Sequence, residues 1–416
     1  MIRELRTGRR GFLAGGAATA ALLAGLGKAR SAEAITYWHH FASQVVFAGF
    51  EEVMAGFAAE NPEIELVQET IPNADFMQKF TAAVVAESRP DAVMVSAQRF
   101  PDMVAMNGLV DLSDRIATWD RAPFFPEDRF TSVTRDGGIY GVPAFSFVDW
   151  IYYRKDWFDE AGIDGPPDTF EDFLVACEKL TDPSKNRYGF GMRGGDGGQS
   201  FVTDMMRAWG SPIVEDGRVA IDKPKAVEAV GFYADLFTKY KVVPPSAPND
   251  SFRQIMEAFR TGQTAMVWHH TGSLKEISDA LPAESFGTGT RPAGPAARIA
   301  ATSYLYNGLM KEDHADAAWD WVSYWGRAET SLTFLRATGY MPVATDTLED
   351  PRISESPIYR PAVETVELGV RPLDFTGGDG WSRNVVLAEF QKILVGTSST
   401  EDAVDAMIRG LEDVLN

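Results

Sequence analysis

Cysteine is almost missing from this chain. Cys177 is the only one in 416 residues, which excludes an intrachain disulfide and any cysteine metal cluster. Its setting, FLVACEKL, has helical spacing and reads as a small buried hydrophobe. Signatures of turnover are lacking too. No Gly-Lys-Ser/Thr phosphate loop is present, so the chain is not itself an ATPase, and there is no His-Glu-x-x-His zinc helix. No Gly-x-Ser-x-Gly nucleophile elbow appears either. After Leu26 no run is long and apolar enough to span a bilayer. Base is scarce, with 39 Lys and Arg against 59 Asp and Glu, a net charge of −20. Residues 1–34 hold six basic and two acidic side chains, so the remainder stands at −24. Such a surface disfavours nucleic acid and anionic membrane as partners and favours solubility.

The first 34 residues read as an address. Arg9-Arg10-Gly11-Phe12-Leu13 is a twin-arginine pattern and Ala14 to Leu26 is small and apolar. Small residues suited to cleavage follow, Ala29-Arg30-Ser31 or Ala32-Glu33-Ala34. No cysteine follows the apolar run, so no lipid anchor is expected there. The expectation is a mature protein free in a periplasm and exported already folded.

A chain of this length exceeds one ordinary core, so two domains are expected. Ile35-Thr36-Tyr37-Trp38 reads as a strand, and Phe47, Phe50, Met54 and Phe57 then repeat at helical spacing. Glu63 to Val67 alternates like a half-buried strand; Phe76, Phe80 and Val84 mark another helix; Ala92 to Val95 is a continuous apolar strand. Strands alternating with helices predict a mostly parallel sheet covered on both faces. Ligands of such sheets lie beyond the carboxyl ends of strands. That places His39, His40 and Ser43, then Thr70 and Asn73, then Gln98 and Arg99, on candidate binding loops.

The segment Asp136 to Phe170 carries the chain's most distinctive pattern. A Gly-Gly turn leads to Pro143, and Ala144 to Tyr153 is an extended aromatic and β-branched run interrupted by Asp149. A carboxylate inside such a strand is either salt-bridged or placed for a ligand. Gly138-x-x-Gly141-Val142-Pro143, Tyr153-Arg154-Lys155-Asp156 and Pro166-Pro167-Asp168-Thr169-Phe170 together resemble the inter-lobe crossing of the extracellular solute-binding proteins of sugar ABC transporters, the family that includes maltose-binding protein. Arg154 stands where that family usually has Asn, and Phe170 where it has Trp. Ile35-Thr36-Tyr37-Trp38, Arg89-Pro90-Asp91-Ala92-Val93, Phe259-x-x-Gly262-x-x-Ala265-Met266 and Gly339-Tyr340-Met341-Pro342 extend the resemblance in order along residues 35 to 416.

The resemblance implies an α/β fold of the two-lobe periplasmic binding protein type, class II, each lobe a mixed, mostly parallel sheet flanked by helices. It implies a first lobe of residues 35–144 and 299–345 and a second of 145–298 and 346–416. The lobes would close by hinge motion on a carbohydrate, which the protein passes unaltered to an ABC permease. No catalysis, cofactor or metal is implied, and a monomer is expected.

The same resemblance puts both Trp-His-His triplets, Trp38-His39-His40 and Trp268-His269-His270, at cleft-lining strand ends, with Thr271 and Gly272 after the second. Neutral imidazoles donate and accept one hydrogen bond each, which suits sugar hydroxyls. Counting along the family pattern also brings Arg383 to the start of a ligand-facing helix and supports Gln98 and Arg99. Among many aromatics, Trp38, Trp268, Tyr304 and Trp381 fall at predicted loop ends and are candidate ring platforms. Gly189-x-Gly191-x-x-Gly194 has the letters of a dinucleotide fingerprint, but Gly195-Asp196-Gly197-Gly198 prolongs the loop where a helix should start. Gly194 is instead expected on a loop that reaches the ligand. Arg99, Arg193 and Arg383 raise an anionic sugar as the solute, since Arg grips oxyanions in a fork. The competing reading is an exported metal-dependent glycoside hydrolase using His40, His270 and Asp149; a metal-delivery protein is the third.

Overall fold

The computed structural model describes residues 32–41, 43–73, 75–373 and 375–416, so the expected leader lies outside it except for its last three residues. Strand β1 (Glu33–His39) starts within those three, and the Glu33 amide already donates to the Glu63 carbonyl at 2.8 Å. β2 (Ile64–Thr70) and β3 (Ala92–Ser96) lie on either side of β1, both parallel to it. Helix α1 (Gln44–Glu60) makes the first crossover. The Ser43 hydroxyl caps it by accepting the Val46 amide at 3.2 Å, and Phe50, Val53 and Phe57 form its buried face. α2 (Phe76–Val85) makes the second crossover and buries Phe76 and Phe80.

The thirteen-residue strand β4 (Val142–Arg154) ties the molecule together. β5 (Tyr188–Gly191), β6 (Thr264–His270), β7 (Phe286–Gly289) and β8 (Thr302–Leu309) complete the sheet, in the order β2-β1-β3-β8-β4-β6-β5. β8 pairs with the first half of β4, from Val142 to Val148, and β6 and β7 pair with its second half. One strand therefore belongs to both lobes. Parallel pairing holds for the outer strands, β1 with β2 and β3, and β6 with β5; every pair made by β4 is antiparallel.

Two further segments cross between the halves. Ser146 and Met341 exchange backbone hydrogen bonds at 2.8 and 3.1 Å, and the Asp149 amide donates to Ala301 at 3.0 Å. One apolar core gathers residues between Ile35 and Phe145 and between Tyr304 and Ala344. Two others cover the two faces of the second half of the sheet, one around Trp268, Phe190 and Phe390, the other around Trp150, Tyr152 and Phe259. Cys177 lies buried in α3 (Phe170–Leu180), which Thr169 caps by accepting the Asp172 amide at 3.1 Å.

Candidate ligand-binding cleft

Strand alternation decides what β4 offers to the space between the lobes. Val148, Trp150 and Tyr152 go into the core on one face. Phe147 and Asp149, on the other, line a cavity of about 440 Å³ between the lobes. β6 runs antiparallel beside β4 with His270 opposite Asp149, so the two polar side chains become cross-strand neighbours at the cavity wall. Helix α4 (Gln199–Ala208) contributes Gln199, Ser200, Thr203 and Asp204, the residues of one helical face. From the first lobe come His40, Ser43, Asn73 and Gln98, each at a loop after a strand.

Arg383 sits on a single wide, π-type turn at Ser382–Val386, ahead of α5 (Leu387–Leu394), the kind of local widening that re-aims a side chain. Its guanidinium reaches Asp196 at 2.9 Å and Asp379 at 3.0 Å. Arg193 is different. Its Nε donates to the Asp196 carbonyl at 2.6 Å, and it makes no ion pair among the described residues. Desolvation lowers its pKa to about 10. Gly197, at φ +86°, arches over this guanidinium so closely that a Cβ there would lie 1.9 Å from Nη2.

Asp149 keeps 22% of its side chain open to the cleft, with protein on its other sides. That burial raises its pKa to about 7, against the opposing pull of Arg291 at 4.0 Å. Arg291 is itself fully buried, held by Asp204 at 2.7 Å and lying over the Trp268 ring at 4.7 Å. Burial pushes His40 and His270 down to about 3, and His269 well below its usual value, which keeps these three imidazoles uncharged. His270 Nδ1 accepts the Gly272 amide at 3.2 Å, which fixes Nε2–H as the donor left for the cleft.

Of the residues expected at the site, His40, Ser43, Asn73, Gln98, Asp149, His270, Gly272 and Arg383 line one cavity. The others stand behind or away from it. Trp268 is 1% exposed, stacked on Tyr233 and serving as the floor beneath Arg291 rather than a platform for ligand. Trp381 is equally buried, its indole N–H bound to the Met407 carbonyl at 2.9 Å. Tyr304 packs in the first-lobe core under Arg129. Trp38 is buried with the Lys79 ammonium over its ring. His39 turns inward, accepting the Phe41 amide and donating to Gln68 at 2.8 Å, with Thr70 beside it at 3.4 Å. Thr271 is buried. Gly194 faces the Ala247 carbonyl, 2.4 Å from where its Cβ would be, so packing requires the glycine. Arg99 is 3% exposed and acts one step back, bonding Asn73 through its carbonyl at 2.9 Å and its side chain at 3.0 Å.

Sequence reasoning missed Asp204, Phe147, Phe252, Ser303, Tyr340 and Asp379 as lining residues. Asp379, in the glycine-rich run before Arg383, carried a signal; Phe252 and Phe147 looked like any core aromatic. A metal-dependent hydrolase would need grouped metal-ligating donors. Among the described residues, no three His, Cys, Asp or Glu side chains are grouped as metal ligands would be.

Two lobes sharing a strand, with polar side chains from both converging on one cavity, agree with the comparison to known families. Residues 42–331 match the model of the bacterial extracellular solute-binding proteins. The chain belongs to that family. Its members bind solutes and are not enzymes. A binding protein of Brucella abortus (strain 2308) is 26% identical over 71% of this chain and 72% of its own length. The sn-glycerol-3-phosphate-binding periplasmic protein UgpB of Escherichia coli (strain K12) is 24% identical over 93% of both chains. Among solved structures, the solute-binding protein of Thermotoga lettingae TMO with bound alpha-D-tagatose superposes with a TM-score of 0.85, at 20% identity, covering 92% of this chain and all of that one.

Proposed function

We propose that this family member captures a sugar or sugar-like polyol in the periplasm and hands it, unaltered, to the membrane subunits of an ABC importer, acting as a monomer. Its two bodies are residues 35–144 with 299–345, and residues 145–298 with 346–416. The observation that carries the solute class is the cleft's donor set: neutral imidazoles, Asn73, Gln98, Gln199 and serine hydroxyls from both lobes around about 440 Å³, enough for one or two sugar rings. Related proteins named for maltotriose and for sn-glycerol-3-phosphate support a polyhydroxylated solute.

An acidic group on that solute is the finer reading. Arg383 is already neutralised by Asp196 and Asp379, and Arg291 by Asp204, whereas Arg193 offers guanidinium N–H groups without an ionic partner among the described residues. A desolvated cation left unpaired in a cleft favours an anion there. Calorimetry against glucose, galactose, glucuronate, galacturonate and glycerol-3-phosphate tests this. Acidic solutes should bind at least about tenfold tighter than neutral ones, a difference near 1.4 kcal/mol, and Arg193→Gln should abolish the preference. Equal affinity for neutral and acidic members would overturn the acidic reading. Heat signals from none of a broader sugar and polyol panel would overturn the solute class.

A further inference from the structure

The cleft does not end at its inner cavity. A second, wider chamber of about 1060 Å³ adjoins it, and Ser43, Phe252 and Glu276 line both. It also lies between the lobes, with the N-terminus of α1 on one side. On the other stand the Phe252–Arg260 and Leu274–Ala280 helices of the second lobe. Closing on a ligand therefore shapes both chambers together.

Two acids on the walls of the outer chamber lack a counter-ion among the described residues. Asp250 is 7% exposed, and its carboxylate accepts one hydrogen bond, from Ser246 at 2.9 Å onto Oδ2. Its other oxygen takes no hydrogen bond and no cation among the described residues. Burial raises its pKa, as expected for a carboxylate without a counter-ion. Glu276, at the junction, has neither a hydrogen bond nor an ion pair among the described residues and is half-buried. The remaining acids are already neutralised: Glu257 holds Arg260, and Asp279 holds Lys275. Arg253, on the same wall, is engaged in an interaction of its own. Phe252 stands between the chambers, its ring 4.7 Å from that of His269. An aromatic face beside two uncompensated carboxylates is the chemistry that receives an ammonium group.

We propose that the outer chamber is a second subsite, which takes an amine-bearing portion of the solute between Asp250 and Glu276 against Phe252. The inference rests on the solute-binding reading of the inner cavity and extends it. The natural ligand is then longer than a monosaccharide, with a polyhydroxylated head inside and a cationic nitrogen outside.

Matched probes test it. The 2-aminoethyl and ethyl glycosides of glucose, galactose, mannose and glucuronic acid would be titrated calorimetrically into the full mature chain at low salt. For whichever head binds, the aminoethyl form should bind about tenfold tighter than the ethyl form, and added salt should narrow the gap. In Asp250→Asn and Glu276→Gln the ratio of the two dissociation constants should fall towards one. The ethyl glycoside, measured in each variant, shows that it remains folded. Equal affinity of the paired glycosides, or a ratio untouched by both substitutions, would overturn the proposal and leave the inner cavity's reading intact. Failure of every glycoside and every free sugar to bind would overturn both.

Discussion

Asp149 shows most directly how one residue sets the character of the cleft. Its acid is held near neutrality by burial, so at physiological pH the group is split between a hydroxyl donor and a carboxylate acceptor. A raised acid contributes stability that is fully present below the unfolded value near 4 and is lost as pH rises through about 7. Asp149→Asn should therefore match the wild type at pH 4 and become the more stable protein above pH 7, by on the order of 2 kcal/mol. Thermal unfolding across pH 4 to 8 reads this, and parallel curves would show that the carboxyl is stabilised elsewhere. The histidines act in the opposite sense. His40 and His270, pushed down to about 3, contribute stability present above about 6.5 and lost as pH falls towards 3. His270→Gln keeps a donor and removes that proton, so its loss of stability between pH 6 and 4 should be shallower than the wild type's.

At the scale of elements, the glycine pattern of β5 has a packing cause. Gly189 lies flush on the α3 backbone, and a Cβ there would meet Cys177 Cα at 2.4 Å. The letters that mimic a nucleotide fingerprint are thus a close helix–strand approach. Gly189→Ala should cost roughly 2–4 kcal/mol, because backbone has to move, while leaving solute affinity unchanged since the site lies behind the core. A loss of affinity without loss of melting temperature would contradict this. The same contrast shows what the sequence made legible. Helical periodicity placed α1, α2 and α3, because that signal is local. Asp149 was legible as a lone acid in an apolar strand, and His270 as its cross-strand neighbour was not, since register between β4 and β6 is a long-range property. Trp268 and Trp381 misled for a related reason. A tryptophan at a strand end or in a glycine loop looks free in sequence, and only the fold shows Arg291 over one and Met407 against the other.

At the scale of the whole molecule, closure is held by more than the three crossings. Asp102 of the first lobe accepts the Gly377 amide of the second at 3.0 Å, and Asp128 pairs with Arg371 across the lobes at 3.0 Å. Asp128 also holds Arg129, whose guanidinium lies over the Tyr304 ring, so the rim contact is backed by the first-lobe core. Half-exposed pairs of this kind are worth about 1 kcal/mol or less each, too little to lock the lobes and enough to bias them. A solute that binds the closed form better is then helped by any pre-existing closed population, and pays for closure when that population shrinks. Asp102→Ala with Asp128→Ala should raise the radius of gyration of the solute-free protein in small-angle scattering, with saturating solute restoring the compact value. Solute affinity should fall by up to about tenfold, mostly through faster dissociation, the range expected from two such contacts. Unchanged scattering and affinity in the double variant would place the control of closure wholly in the crossings, with β4 and the Ser146–Met341 bridge as the hinge.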